Sequence, residues 1–522
     1  MKKKFNVTGI CYPEQHYMMD NNNKLSEVME LIEFGEYFTI NRPRQYGKTT
    51  TLHFLTEKLE TSEMYFPIAL NFQGIDSEWF ESDTSFAQMI ANQLSMVLKV
   101  TAPNLSAFLQ DKKDIQKMDE LSDIITELAH QMPKKMVLLI DEVDASSNYN
   151  AFLSFLGMLR TKYLSRTKSY HYTFHSVVLA GVHDIKSLKY KLHNPEDAQY
   201  NSPWNIAIDF KVDMSFNPQE IAPMLEQYSE AEGATMDIAA IAERLHYHTA
   251  GYPFLVSRLC KIVAEEILPK REVKTLWTLD DIEEAVQILL LENNTNFDSL
   301  IKNLENHQDL YDLTFRILID GDKIAFNQYN STIYKGVLYG IFKRNGHVKI
   351  HNRIYEQLIY NYMASNMEVG LKKAAQYNFE NQFYLPDNGL DVEKILLKFQ
   401  EFMKMEYSDK DQDFLEREWR LIFLAFIRPI VNGSGYTFKE PQISQEKRLD
   451  VVITFFQRQY IAELKRWNGP QLHEEGVKQL ADYLDLQNQT KGFLVIFEYR
   501  TAKTWRKEWI RYEDKEIFAV WI

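Results

Sequence analysis

The sequence predicts an α/β multidomain chain whose sheets are sandwiched between helices, and three observations carry that prediction. Apolar runs alternate with helix-like stretches over residues 1–215, the pattern of parallel strands joined by helical crossovers. One run, residues 36–41, enters a turn and then Gly47-Lys48-Thr49-Thr50 at the head of a helical pattern. Another, Met136 to Ile140, ends on Asp141-Glu142.

In chain order, residues 1–35 hold a loop at Cys11-Tyr12-Pro13-Glu14 and a helix-like stretch from Lys24 to Phe34. The strand at 36–41 follows, then Arg42-Pro43-Arg44-Gln45-Tyr46-Gly47-Lys48-Thr49-Thr50. Strand, tight turn and helix start form the grammar of a phosphate-binding loop. Backbone N–H groups at a helix start favour phosphate oxygens, and Gly47 lets the main chain approach them. Lys48 is placed to reach the β/γ phosphates and the Thr49 hydroxyl to ligate Mg²⁺. Arg42 stands where the Walker A pattern has glycine.

Tyr65 to Phe72 reads as a second strand, with helices at Phe86 to Val100 and Leu121 to His130. Five apolar residues from Met136 to Ile140 suit a strand buried on both faces. Acids at its C-terminal end lie where open α/β sheets bind ligands, as in a Walker B motif. Asp141 is the candidate Mg²⁺ holder and Glu142 the residue that orients the attacking water. A further strand, Ser176 to Gly181, leads to His183 and Asp184, candidates for sensing a γ-phosphate. After a Pro/Asn-rich loop come a short strand, Asn205 to Phe210, and helices at Pro218 to Tyr228 and Ile238 to His248. Gly251-Tyr252-Pro253-Phe254 begins another helix, which carries Arg258.

Arg42-Pro-Arg-Gln-Tyr-Gly-Lys-Thr-Thr50, Leu138-Leu-Ile-Asp-Glu-Val-Asp144 and Ala250-Gly-Tyr-Pro-Phe-Leu-Val-Ser-Arg258 together resemble the AAA-ATPase-like proteins of bacteria. That family is related to the origin-recognition and STAND ATPases. The resemblance spans residues 5–265 and implies a P-loop αβα sandwich with a helical lid, ATP as ligand and Mg²⁺ as its companion. It places Arg44, Gln45, Tyr46, Gly47, Lys48, Thr49 and Thr50 around the nucleotide, makes Arg42 ordinary, and makes Arg258 similar to a sensor 2 arginine.

Thr278-Leu-Asp-Asp-Ile-Glu-Glu marks a helix start. Helices from Phe297 and Leu310 precede two apolar alternations, Val337 to Phe342 and Val348 to Ile350, flanking the hairpin signal Asn345-Gly346. Helices followed by a hairpin suggest a winged-helix-like unit, which could bind DNA or serve as a packing module, and the acidic surroundings favour packing. Residues 366–414 read as a helical connector.

The last segment opens with a helix from Leu415. Gln445 to Phe455 reads as a strand, Gln457-Arg458 as a turn, and Tyr460 to Lys465 as the returning strand. Side chains alternate along a strand, so Glu463 and Lys465 share one face with Ile461. A hairpin brings Asp450 toward Glu463, two carboxylates that suit a divalent cation with Lys465 beside it. That is a site for metal-assisted phosphodiester hydrolysis. Gln479 and Tyr483 share a face of the following helix. Asp450, Glu463-Leu-Lys465 and Gln479-Leu-Ala-Asp-Tyr483 resemble the PD-(D/E)XK nuclease fold, with a Gln-x-x-x-Tyr helix as in RecB-type nucleases. That resemblance implies Glu418, or else Glu416, as an additional metal-site acid. His473 with Glu474 and Glu475 reads as a solvated helix start.

Net charge is −14, which argues against a protein that coats nucleic acid non-specifically. Two cysteines, Cys11 and Cys260, make no disulfide framework and fit a reducing cytoplasm. No apolar run reaches membrane-spanning length, and Met1-Lys-Lys-Lys4 is followed by no apolar leader. The expected organisation is therefore an ATPase core over 1–215, a helical lid over 216–275, a winged-helix-like unit over 276–365, a connector over 366–414 and a nuclease-like domain over 415–522. The expected activity is ATP binding and hydrolysis coupled to a metal-dependent nuclease, in genome defence or DNA processing. Mg²⁺ or Mn²⁺ would serve at the rear site. DNA is the expected substrate with RNA left open, and assembly into an oligomer is left open too. The alternative is a STAND-like nucleotide switch or interaction protein whose nuclease fold is silent.

Overall fold

The computed structural model describes the chain apart from residues 1, 113, 169–171, 183–202, 321, 344–345, 371–382, 384, 386–388, 407–421, 424–425, 428–429, 431–434, 439–450, 456–457, 468–469, 487–488 and 499–504. It divides into two compact units, Met1–Asn306 with Asn327–Arg344, and His307–Phe326 with Asn345–Ile522.

In the first unit the most apolar segment sits at the centre of the sheet. After Lys135 every residue of Lys135–Asp141 is buried, so this strand needs neighbours on both edges and cover on both faces. The elements that supply them are α1 (Asn22–Glu33), β1 (Tyr37–Asn41), α2 (Lys48–Glu60), β2 (Tyr65–Asn71), α3 (Asp83–Thr101), α4 (Pro103–Asp111), α5 (Met118–Gln131), the central strand β3 (Lys135–Asp141), α6 (Asn150–Ser165) and β4 (Ser176–Gly181). The four strands pair in parallel in the order β1-β4-β3-β2. Asn41 is level with Gly181 and Asn71 with Asp141, so the strands finish along one edge. The phosphate-loop sequence and the two acids therefore emerge at the same end of the sheet. On one face Phe86, Leu94, Leu121, Phe152 and Phe155 close over Leu138 and Ile140 in a single core.

Two readings of this region differ in detail. Residues 150–165 form α6, which the sequence pattern does not announce. The strand expected at Asn205 to Phe210 reduces to one bridge between Ile208 and Phe38. The Trp204 indole donates to the buried Thr39 hydroxyl at 2.9 Å, and this anchor is followed by a turn rather than by extended chain.

The rest of the unit is helical: α7 (Pro218–Glu232), α8 (Ile238–Thr249), α9 (Pro253–Ile262), α10 (Leu279–Leu290), α11 (Thr295–Asn306) and, from the returning segment, α13 (Ser331–Leu338) with the short strand β5 (Phe342–Lys343). Local chemistry sets their starts. Asn217 accepts from Glu220 N while the Glu220 side chain accepts from Asn217 N, a reciprocal cap of α7. Val337, read as part of an apolar alternation, lies inside α13.

The second unit holds α12 (Gln308–Phe315), β6 (Lys349–Ile350), α14 (Arg353–Gly370), α15 (Val392–Glu406), β7 (Gly435–Phe438), β8 (Val451–Phe455), β9 (Arg458–Arg466), α16 (Pro470–Leu486), β10 (Lys491–Phe497), β11 (Lys507–Tyr512) and β12 (Lys515–Trp521). Residues 346–348 pair with 324–326, through Phe326 N to Gly346 O at 3.0 Å and Val348 N to Ile324 O at 2.8 Å. The large sheet runs β11-β12-β10-β9-β8-β7. Strands β9, β10 and β12 are parallel, with β8 and β11 antiparallel to their neighbours. Helix α16 joins β9 to β10 and packs Val477, Leu480 and Leu484 on Ile461, Leu494 and Ile496. From α15, Gln400 donates to the carbonyl oxygens of Trp521 (2.7 Å) and Arg506 (3.1 Å). Arg458, read as part of a turn, is already in β9, paired with Phe455.

Candidate functional site

The phosphate loop begins where β1 ends. Arg42 stays clear of the helix start: its guanidinium donates to Asn41 O (2.8 Å) and Val212 O (2.7 Å) and lies 5.1 Å from the Phe210 ring centroid. A long side chain that turns away leaves the loop interior free, which is why arginine serves where a glycine was expected. Gly47 caps α2 with φ +81° and no side-chain hydrogen bond, a left-handed conformation that suits glycine. The first N–H groups of α2 thus lack an intrahelical partner and point out of the helix, the arrangement that receives anions.

Lys48 opens α2 and is 7% exposed. Its ammonium donates to Arg42 O (3.0 Å) and Pro43 O (2.9 Å), carbonyls of its own loop. Burial holds its pKa below the ordinary lysine value, while the charges of Glu142, Asp144 and Asp141 pull it upward. Thr49 and Thr50 share this first turn, and the Thr50 hydroxyl accepts from Cys11 N at 3.2 Å. Arg44 is exposed, and its charge acts on both Lys48 and Glu142. Gln45 adopts φ +57° and reaches the Thr295 hydroxyl at 3.4 Å. Tyr46 is buried, with its hydroxyl 2.7 Å from that of Ser215, and burial pushes its pKa up to about 12.

At the end of β3, Asp141 accepts from Glu142 N through Oδ1 at 2.9 Å. Its buried Oδ2 meets no donor among the described residues. An anionic oxygen buried without a donor is costly, and a cation beside it removes that cost, so Asp141 fits Mg²⁺. Glu142 is half-buried at φ +53°. Burial raises its pKa, and Asp141 raises it further. Asp144 takes Val182 N on Oδ2 at 2.6 Å and so ties this turn to the end of β4. His183 and Asp184, the residues that follow, lie outside the described residues.

Arg258, a candidate to reach a nucleotide, pairs with Glu292 and with Glu266 at 3.1 Å. Burial opposes its charge, but the two carboxylates more than offset this and raise its pKa.

In the second unit Glu463 and Lys465 do share a face of β9. Lys465 Nζ lies 2.8 Å from Glu463 Oε1 and donates to Gln479 Oε1 at 3.0 Å. Glu463 is 1% exposed and the Lys465 side chain 34%. Register runs to Val451 opposite Ala462; Asp450, Glu418 and Glu416 lie outside the described residues. No group of three His, Cys, Asp or Glu residues that could hold a metal occurs among the described residues.

The residue that motif reading missed is Tyr252, whose hydroxyl donates to Arg44 O. In the sequence it stands in Gly251-Tyr252-Pro253, a helix-start signal and part of the motif that carries the family resemblance.

The family profile described as AAA-like domain matches residues 11–361, more than half of the 522-residue chain. The chain belongs to the AAA-like domain family. The AAA-like domain contains the phosphate loop and both acids at its sheet edge, and its fold is that of a P-loop, ATPase-like nucleotide-binding domain. The six-stranded sheet lies beyond the matched span. An uncharacterized WD repeat-containing protein of Synechocystis is 23% identical over 390 residues. The match covers 71% of this chain, which spans about a third (31%) of that relative's length. Solved structures similar to the chain include the Walker-type ATPase of Pyrococcus abyssi, 12% identical with a TM-score of 0.47 over 68% of this chain and 99% of that one. The ORC2 protein of Aeropyrum pernix is 13% identical with a TM-score of 0.40 over 70% and 98%. Among the described residues no helix is long and apolar enough to cross a membrane.

Proposed function

We propose that the AAA-like domain binds and hydrolyses Mg-ATP, and that residues 415–522 form a metal-dependent nuclease domain acting on DNA under its control. The observation that supports the first part most strongly is the shared sheet edge. Lys48 heads α2 there, the charges of Glu142, Asp144 and Asp141 bear on its ammonium, and Asp141 Oδ2 has no donor among the described residues. For ATP to bind, Lys48 exchanges the carbonyls of Arg42 and Pro43 for β/γ phosphate oxygens, and the first N–H groups of α2 take the remaining oxygens. Thr49 and Asp141 are the residues that would hold Mg²⁺, which when bound neutralises charge on the phosphate oxygens. Glu142, its carboxylate made more basic by burial, orients the attacking water and receives its proton. Arg258 would have to leave Glu292 and Glu266 to reach the nucleotide, a movement of the proposed lid over 216–275.

The nuclease part rests on the Glu463, Lys465 and Gln479 cluster at the β9–α16 interface, with Asp450 preceding Val451 in sequence and Glu418 upstream. There Asp450 and Glu463 would hold Mg²⁺ or Mn²⁺, and Lys465 would stabilise negative charge on the scissile phosphate. The division into core, lid, winged-helix-like unit, connector and nuclease-like domain belongs to the same proposal.

A second reading is a nucleotide-dependent switch without cleavage. The Lys48 contacts with its own loop and the Arg258 pairs with Glu292 and Glu266 are contacts that a nucleotide would have to displace, as such a switch requires. Incubating the chain with plasmid and single-stranded DNA in Mg²⁺ or Mn²⁺, with Lys465→Ala as control, separates the two. Cleavage lost in the variant supports the nuclease; ATP turnover with no cleavage by the unsubstituted chain leaves the switch.

A further inference from the structure

Four successive residues of the phosphate loop are each gripped by an element far downstream. Gly340 adopts φ +74°, and a Cβ there would lie 2.7 and 2.9 Å from ring carbons of Pro43. The next residue, Arg44, gives its carbonyl to the Tyr252 hydroxyl. Gln45 reaches Thr295, and Tyr46 meets both the Ser215 hydroxyl and the edge of the Tyr252 ring, 4.6 Å between centroids at 73°. Tyr252 is 1% exposed and stands just before α9. The Asn296 amide lies 3.4 Å from its hydroxyl as a donor, which directs the hydroxyl hydrogen to Arg44 O. Gln45, at φ +57°, is in a conformation that costs a non-glycine residue energy and persists only where its surroundings impose it. The bond to the Arg44 carbonyl fixes the peptide immediately before it.

We propose that Tyr252 is a positioning residue for nucleotide binding: its hydroxyl holds the Arg44–Gln45 peptide so that the loop N–H groups that follow face the triphosphate. The inference rests on the Mg-ATP reading above. Packing alone would need only the ring. Positioning needs the hydroxyl, because the carbonyl it holds turns together with the peptide plane. Gly340 supports the same loop from Pro43, so crowding at that point should disturb the same property from the other side.

The test uses the full chain and isothermal titration with Mg-ATP. Tyr252→Phe keeps the ring and should weaken binding about tenfold, the value of one well-placed hydrogen bond. The thermal midpoint of nucleotide-free protein should fall by no more than the loss of one hydrogen bond causes, and the rise in midpoint on adding ATP should shrink. Gly340→Ala should weaken binding in the same sense. If Tyr252→Phe lowers the nucleotide-free midpoint further, Asn296→Ala, which leaves the tyrosine whole and removes a donor to its hydroxyl, should still weaken binding. Binding by Tyr252→Phe equal to that of the unsubstituted chain would overturn the inference and leave the ATP reading standing. An unsubstituted chain that binds no better than Lys48→Ala would overturn the ATP reading and this inference with it.

Discussion

Lys48 and Lys465 are the two ammonium groups on which the proposed chemistry turns, and they are held in opposite ways. Lys48 is almost fully buried, and its hydrogen bonds are to two carbonyl dipoles of its own loop. Lys465 is one-third exposed and lies against the buried carboxylate of Glu463. Carbonyl dipoles only partly repay the desolvation of a cation, which is why burial lowers the Lys48 pKa. A carboxylate returns far more. In the proposed ATP site the first lysine would exchange its carbonyl partners for phosphate. The second already lies against the acid with which it would work in the proposed nuclease site.

The largest expected effects break the comparison at each end. Lys48→Ala should cost on the order of a hundredfold in Mg-ATP affinity, about 3 kcal/mol for charge-assisted bonds to phosphate, and leave DNA cleavage in the absence of ATP untouched. Lys465→Ala should abolish cleavage and leave ATP affinity within twofold of the parent, about 0.4 kcal/mol. Titration calorimetry and a plasmid-nicking assay read the two losses separately. If either substitution removes both activities under these conditions, the separate assignments fail.

Next in size is Glu142→Gln, expected to lower ATP turnover about 10²- to 10³-fold with affinity retained. A base works only when ionised, and the Glu142 pKa is raised by burial and by Asp141. Turnover should thus fall on the acid side at a pH above the ordinary carboxylate range, and a pH–rate profile of the parent shows where. Lys48 sets the other limb: with its pKa lowered by burial, ATP affinity should decline with rising pH before an ordinary lysine would titrate. In that alkaline window ATP binding should take up a proton, which calorimetry in buffers of different ionisation enthalpy detects.

Lys48, Asp141 and Glu142 were legible because the chemistry of each is written in residues adjacent in sequence: a glycine before a helix, two acids after an apolar strand. The Glu463 and Lys465 pairing was legible for a similar reason, since alternation along a strand needs no knowledge of the rest of the fold. Helix α6 was not legible. It buries Ala151, Phe152, Leu153, Phe155, Leu156, Met158 and Leu159, an apolar surface too wide to show one stripe, and it has no side-chain cap to mark its start. The Arg258 pairs and the Tyr252 grip were invisible because their partners are set by tertiary packing; Tyr252 and Arg44 are 208 positions apart. Arg42 departs from the Walker A pattern because that pattern describes a sequence slot, whereas the side chain leaves that slot for Asn41, Val212 and Phe210.

The smaller predictions sharpen the comparison through stability. Lys465→Ala leaves Glu463 buried without its cation. A fully buried pair broken in this way loses about 3–5 kcal/mol, but Lys465 is one-third exposed and water can reach the gap, so about 1–3 kcal/mol is expected. Glu463→Gln in the same chain removes the stranded charge and should recover most of that loss, a non-additivity that a double-mutant cycle in urea measures. Gln479→Ala is the mildest change: it removes one neutral acceptor at 3.0 Å from Lys465, and the ammonium keeps Glu463. The cost should be about 1 kcal/mol or less, with cleavage reduced more than stability, because Lys465 is held but no longer aimed. A Gln479→Ala loss as large as that of Lys465→Ala would mean that the amide, rather than the carboxylate, holds the lysine, and the contrast with Lys48 would collapse.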